Sequence, residues 1–277
     1  MLKSKNFSRR KALTLLGVSS IGLGVTSINK LFSSDTMTHD VWNGEVLNGP
    51  ARVEIHSTDK YKNKYLISKI KKKLIEYENV FNLQNENSEI SILNRNKFID
   101  KPSQHLIDVV KKSLHMAEKT NGLFDLTVQP LWNLYYDHFI IKGNITGPEE
   151  ALISKTKKLV NYNNVHLKNN SISLSGNSSI TLNGIAQGWI TDQITKVLKE
   201  YGIKNTLVDL GEMYALGKFD NLRSWNILLS NANSSKVINL TNKAVATSAG
   251  DGTSFEPTHK YHHIFNPKTG HSSNSFK

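Results

Sequence analysis

The sequence predicts an α+β fold, a single domain of mixed sheets packed with helices over residues 38–277. Three observations predict it. Apolar residues recur at helical spacing in several stretches, the longest being Leu66, Ile70, Leu74, Tyr77 and Phe81. Short apolar segments face each other across turn residues, as Val165 and Leu167 face Ile172 and Leu174 across Asn169-Asn170. No internal repeat or low-complexity linker divides the chain between about Thr38 and Lys277.

Composition narrows the function classes. At 277 residues and 38% hydrophobic, the chain can bury a proper core. It holds no cysteine, which excludes disulfides, thiolate metal sites, cysteine nucleophiles and a lipidated cysteine. The formal charge of +12 suggests an anionic partner, but six of those charges come from Lys3, Lys5, Arg9, Arg10, Lys11 and Lys30, where no acid balances them. Much of the rest lies in runs such as Lys69–Lys73, the solvated face of a helix, and no nucleic-acid reader module accompanies them. Nucleic acid is therefore not an expected partner.

Residues 1–34 read as an export segment, with a basic start and an uncharged stretch from Ala12 to Asn29. Ser8-Arg9-Arg10-Lys11-Ala12-Leu13 is similar to a twin-arginine signal. An uncleaved anchor is the other reading, since no A-x-A cleavage site stands out. Both readings place the domain outside the cytoplasm, in the periplasm or on the outer face of the cytoplasmic membrane.

From Val41 to Ile55, alternation broken by Asn48-Gly49-Pro50 predicts a strand or bent hairpin, and an amphipathic helix follows through Phe81. A polar loop re-enters a short helix after Ser88, with Ser88 and Ser91 as turn and cap residues. Leu106, Val110, Leu114 and Ala117 predict a helix over about 103–120 that stops at Asn121-Gly122. Gly122–Trp132 fits neither period and reads as a buried corner or a site. Thr146-Gly147-Pro148-Glu149-Glu150 opens another helix.

Ser179–Asp192 is the centre of the chain: a short strand at Ile180 and Leu182, a glycine turn, then a helix ending at Gly202. Gly184 and Gly188 clear side chains from a helix start whose N–H groups and dipole favour an anion such as phosphate. The turn is neither G-x-G-x-x-G nor a P-loop. Close helix–strand packing accounts for the two glycines equally well. Beyond it, Thr206–Leu210 and Trp225–Leu229 read as strands, and Ala244–Asp251 as a short strand opening into a turn. Four histidines fall between His259 and His271; they read as loop residues with one working member, or as a metal cluster.

Together the stretches resemble the FAD:protein FMN transferases, the ApbE family. The motifs run in order: Trp42-x-Gly44, Ser88-Glu89-Ile90-Ser91-x-x-x-Asn94, Gly122-x-Phe124-Asp125-x-Thr127-x-x-Pro130-Leu131, and Gly184-Ile185-Ala186-x-Gly188-x-x-x-Asp192. Ala244-Val245-Ala246-Thr247-Ser248 and His263-Ile264-x-Asn266-Pro267-x-Thr269-Gly270 complete the series. Leu182–Gly188 and Leu207–Glu212 are most similar to the branch associated with nitrous-oxide respiration.

The resemblance implies transfer of the FMN half of FAD to a Ser or Thr of a membrane-associated acceptor flavoprotein, with Mg²⁺ and with loss of AMP. It implies that Leu123, Phe124, Asp125, Thr181, Gln187 and Ile264 contact FAD, that the Gly184 carbonyl is a metal ligand, and that His263 is the base. The alternative function is a non-catalytic FAD-binding accessory protein of a respiratory system. Thr181 stands where the family commonly has an acid, Gln187 where Lys or Glu is common, Gln84 where an aromatic often stacks on flavin, and Asn266 where Asp is usual. The resemblance also implies an incomplete C-terminus: the family's last strand and helix, with an Asp and a Thr for the metal, would follow Lys277.

Overall fold

Leu47 and Asn48 adopt positive φ (48° and 61°), the left-handed pair a two-residue hairpin turn requires. Strand β1 (Thr38–Val46) therefore folds straight back as β2 (Gly49–Ser57), in register from Thr38↔Ser57 to Val46↔Gly49. The computed structural model describes residues 37–230 and 235–273; the export segment expected at 1–34 lies outside the described residues.

Helix α1 (Lys60–Phe81) starts where the Lys62 N–H donates to the Asp59 carboxylate at 2.9 Å, and it buries Leu66, Ile70, Leu74, Tyr77 and Phe81. Ser88 caps α2 (Glu89–Asn96), which leads into β3 (Phe98–Asp100). Ser103 caps α3 (Gln104–Lys119), which ends at Asn121 and Gly122 with φ of 50° and 74°. Pro130 sits in the first turn of α4 (Gln129–Tyr136), and a π turn at Asp137–Ile141 continues it. Helix α5 (Glu150–Lys157) precedes the hairpin β4 (Val165–Lys168) and β5 (Ser171–Leu174), whose turn residues Asn169 and Asn170 are both left-handed.

Next come α6 (Ala186–Glu200), then β6 (Asn205–Asp209), β7 (Met213–Leu216), β8 (Trp225–Ser230), β9 (Ser235–Leu240) and β10 (Lys243–Val245). The main sheet has the order β1-β2-β6-β7-β10, and every neighbour pair in it is antiparallel. A three-stranded sheet, β3-β5-β4, and the β8-β9 hairpin stand apart from it. The α+β expectation holds.

Alternation in the main sheet sends Val208 into a large core with α1, α2, α3 and α6, and Leu207 to the opposite face against Trp225 and Ile227. A second, smaller core joins Leu131, Tyr135, Phe139 and Ile153 to Phe255 and Phe265 of the C-terminal loops. One expected element differs. Ile180 and Leu182 are buried but belong to no strand, because the partner of Ile180 is a side chain rather than a neighbouring backbone. Strands β3, β7 and β9 have no counterpart in the sequence reading.

Candidate functional site

The Asn94 amide donates to the Ile180 carbonyl at 2.8 Å and accepts the Ile180 N–H at 2.7 Å, imitating a β-bridge from a helix. The Thr181 N–H donates to the Leu126 carbonyl at 2.8 Å. These bonds fix the approach to the Asn183–Ile185 turn. No side chain caps α6; the Ile185 and Ala186 N–H groups donate to the Leu182 carbonyl at 2.9 and 2.7 Å and that of Trp189 to the Ile185 carbonyl, which leaves the N–H groups of Gln187 and Gly188 for whatever binds there.

The two glycines distinguish packing from ligand binding. A β-carbon on Gly184 would meet Phe124 Cε2 at 3.5 Å, and one on Gly188 would meet Glu212 Cγ at 3.9 Å; both are ordinary contacts. Neither glycine has positive φ. Neither packing nor backbone conformation demands them, so close helix packing does not explain the pair.

Beside this turn lies a cavity of about 570 Å³, within the usual range for small-molecule sites. Thr181, Asn183, Gln84, Arg95, Lys97 and Trp132 line it. Lys97 donates to the Ser178 carbonyl at 2.8 Å and Arg95 to the Glu86 carbonyl at 3.1 Å, which holds two cations in the wall. Burial draws the Lys97 ammonium below its ordinary value.

The expected site residues divide into three groups. Thr181 lines the cavity; Gly184, Phe124 and Gln187 gather at the turn and the start of α6. Leu123 is 57% exposed one residue before Phe124. Asp125 anchors the chain: its carboxylate accepts the Thr127 N–H at 2.8 Å, the Thr127 hydroxyl at 2.6 Å and the Tyr162 N–H at 3.0 Å. Burial raises its pKa against the pull of those bonds, and it borders a separate depression with Lys157 and Lys268.

His263 and Ile264 form the third group, on irregular backbone. The His263 ring places Nδ1 3.1 Å from the Thr253 carbonyl, an acceptor, so Nδ1 carries the proton and Nε2 is the basic nitrogen. Ile264 donates its N–H to His262 Nδ1 at 3.3 Å. Neither residue lines the 570 Å³ cavity. The connection runs through Trp132, whose ring meets Phe255, two residues past Thr253, at 6.0 Å.

The loop histidines hold separate partners: His259 bonds Ser254 at 2.7 Å, and His271 lies 3.4 Å from Glu150. Among the described residues no three His, Asp or Glu side chains converge as metal ligands. The turn offers Mg²⁺ the Thr181 hydroxyl and the Gly184 carbonyl, and one oxygen of the nearby Glu212 carboxylate accepts the Thr247 N–H at 3.3 Å. These residues do not form a magnesium cage of their own.

Sequence reasoning gave no role to Glu212 and read Trp132 as core. The Glu212 carbonyl accepts the Thr191 hydroxyl at 2.9 Å, so this residue ties α6 to the loop after β10. Its only signal was its place in Leu207–Glu212.

A sequence-family model described as the ApbE family matches residues 50–277. The FAD:protein FMN transferase of Treponema pallidum (strain Nichols) is 26% identical over 191 residues, covering 60% of this chain and 51% of the relative. That of Vibrio cholerae is 25% identical over 223 residues, covering 77% and 66%. The chain thus spans about half to two thirds of the length of these curated relatives. The crystal structure of the ApbE protein of Thermotoga maritima shares the fold, with a TM-score of 0.72 and 24% identity over 85% of this chain and 79% of that one.

Proposed function

The chain belongs to the ApbE family, and from that membership we propose that it moves the FMN half of FAD onto a Ser or Thr hydroxyl of an acceptor flavoprotein. The observation that carries the proposal is the glycine pair: Gly184 and Gly188 leave room that the fold does not need, at an uncapped helix start beside a cavity with two cations. A diphosphate fits there, since backbone N–H groups and the helix dipole stabilise an anion in that position.

In the proposed reaction the acceptor oxygen bonds the FMN phosphorus while the phosphorus–oxygen bond to AMP breaks. The hydroxyl proton passes to His263 Nε2, and AMP leaves with the electron pair. Thr181, Gln187 and Phe124 hold the dinucleotide. Magnesium enters as a requirement to be measured, carried by substrate phosphates more than by side chains. The acceptor is a membrane-associated flavoprotein met outside the cytoplasm, a reading that rests on the twin-arginine-like start at 1–34. The sub-branch tied to nitrous-oxide respiration remains part of this proposal.

The test incubates purified protein with FAD, with and without Mg²⁺, and with an unflavinylated acceptor domain that carries Ser- or Thr-linked FMN when mature. Covalent flavin on the acceptor and release of AMP are the expected result; their absence overturns the transferase reading. His263→Ala should lower transfer by about 10²- to 10⁴-fold. FAD affinity should hold within about twofold, because the imidazole is not in the cavity wall. FAD bound without AMP release would instead give the accessory-protein reading, which the imidazole's position outside that wall favours.

A further inference from the structure

Trp132 is the single aromatic ring among the described residues of the cavity wall. The rest of that wall is amide, hydroxyl, aliphatic, two cations and the Glu86 carboxylate, so a flat heteroaromatic ligand finds one surface on which to stack. The ring is held in place from behind. It lies parallel to Tyr136, centroids 4.8 Å apart and planes 13° apart, and meets Phe255 with the ring planes at 68°. Its Nε1–H is buried with no acceptor among the described residues.

We propose that Trp132 is the platform on which the isoalloxazine ring of FAD stacks. The proposal rests on the flavin-transfer reading of the same site. Two arguments choose this ring over adenine. Indole is electron-rich and isoalloxazine electron-poor, so stacking between them is favourable beyond its buried area. Trp132 also stands at the side of the cavity that packs on Phe255, in the segment that carries His263. The half of FAD that is passed on must lie toward the base, and that half bears the isoalloxazine. In this chain the tryptophan takes the place in flavin stacking that Gln84, in the same wall, cannot fill.

The test titrates FAD, riboflavin and AMP into the wild-type protein, Trp132→Phe and Trp132→Leu, following flavin emission and binding heat, with thermal melts as the folding control. Wild type should bind FAD and quench its emission. Trp132→Phe keeps a ring and should hold FAD within about threefold, with brighter bound flavin because the indole quencher is gone. Trp132→Leu should bind FAD and riboflavin about tenfold more weakly, or worse, with AMP unchanged.

FAD bound by wild type and equally by Trp132→Leu overturns the inference and leaves the flavin site standing. Loss confined to AMP overturns it also, since the platform would then hold adenine. Wild type that binds no FAD removes the site reading and this inference together. Should Trp132→Leu fail to fold, Trp132→Phe decides: bound-flavin emission equal to wild type rejects the stack.

Discussion

Gly188 occupies the first turn of a helix with space for a β-carbon, 3.9 Å from the nearest side-chain atom. In a helix that absence costs about 0.5–1 kcal/mol relative to alanine. Gly188→Ala should therefore raise stability by about that amount in urea unfolding while weakening FAD binding in titration. Opposite signs in the two measurements separate a ligand-facing glycine from a packing one; a destabilised variant would return Gly188 to packing. Glycine spacing and motif order marked Gly184, Thr181 and Phe124, and the fold gathers the three around one turn. The anchoring by Asp125 was legible only in part: Thr127 lies in its motif, while Tyr162 is far along the chain. Glu212 was missed because its contacts, Thr191 and Thr247, come from two other segments.

Among the elements, Asn94 does the work of a missing strand. Its two bonds to Ile180 span 86 residues and orient the turn that follows. Asn94→Ala should cost about 2 kcal/mol, two hydrogen bonds at about 1 kcal/mol each, and should loosen FAD binding with it. Denaturant unfolding with m unchanged checks the first, and titration the second. Helix α3 was legible because periodicity, cap and terminal glycine agreed; α1 has no terminal glycine and α6 no side-chain cap, and periodicity marked both. The β4-β5 hairpin was legible from its Asn-Asn turn. The false strand at Ile180 and Leu182 has the right alternation; what it lacks is a neighbouring strand, and no local pattern records that.

Across the whole molecule, the His56 side chain is fully buried where the main sheet meets the β8-β9 hairpin, between the rings of Phe219 and Trp225. Its Nε2 meets Glu54 at 2.7 Å and its Nδ1 meets Asp220; two carboxylate acceptors require an imidazolium. Arg52 holds the other Glu54 oxygen at 2.7 Å. Burial would lower the His56 pKa, but both carboxylates outweigh it and hold the group above its ordinary 6.5. Burial would raise Glu54, yet His56 and Arg52 hold it below 4.5. The histidine contribution is complete below 6.5 and fades as pH rises through the raised folded value. The glutamate contribution is complete above 4.5 and fades as pH falls through the lowered one. Melting temperature should peak between those limits, and His56→Gln should flatten the alkaline decline; an unchanged profile would remove the imidazolium from the account.

The second core has a consequence for how the protein fails. Trp132 and the segment bearing His263 both rest on that small nest of rings, away from the large core beneath the sheet. Small cores open before large ones. On gentle warming, near-ultraviolet circular dichroism from these aromatics should fade, and turnover with it, while the far-ultraviolet signal still reports intact helices and strands.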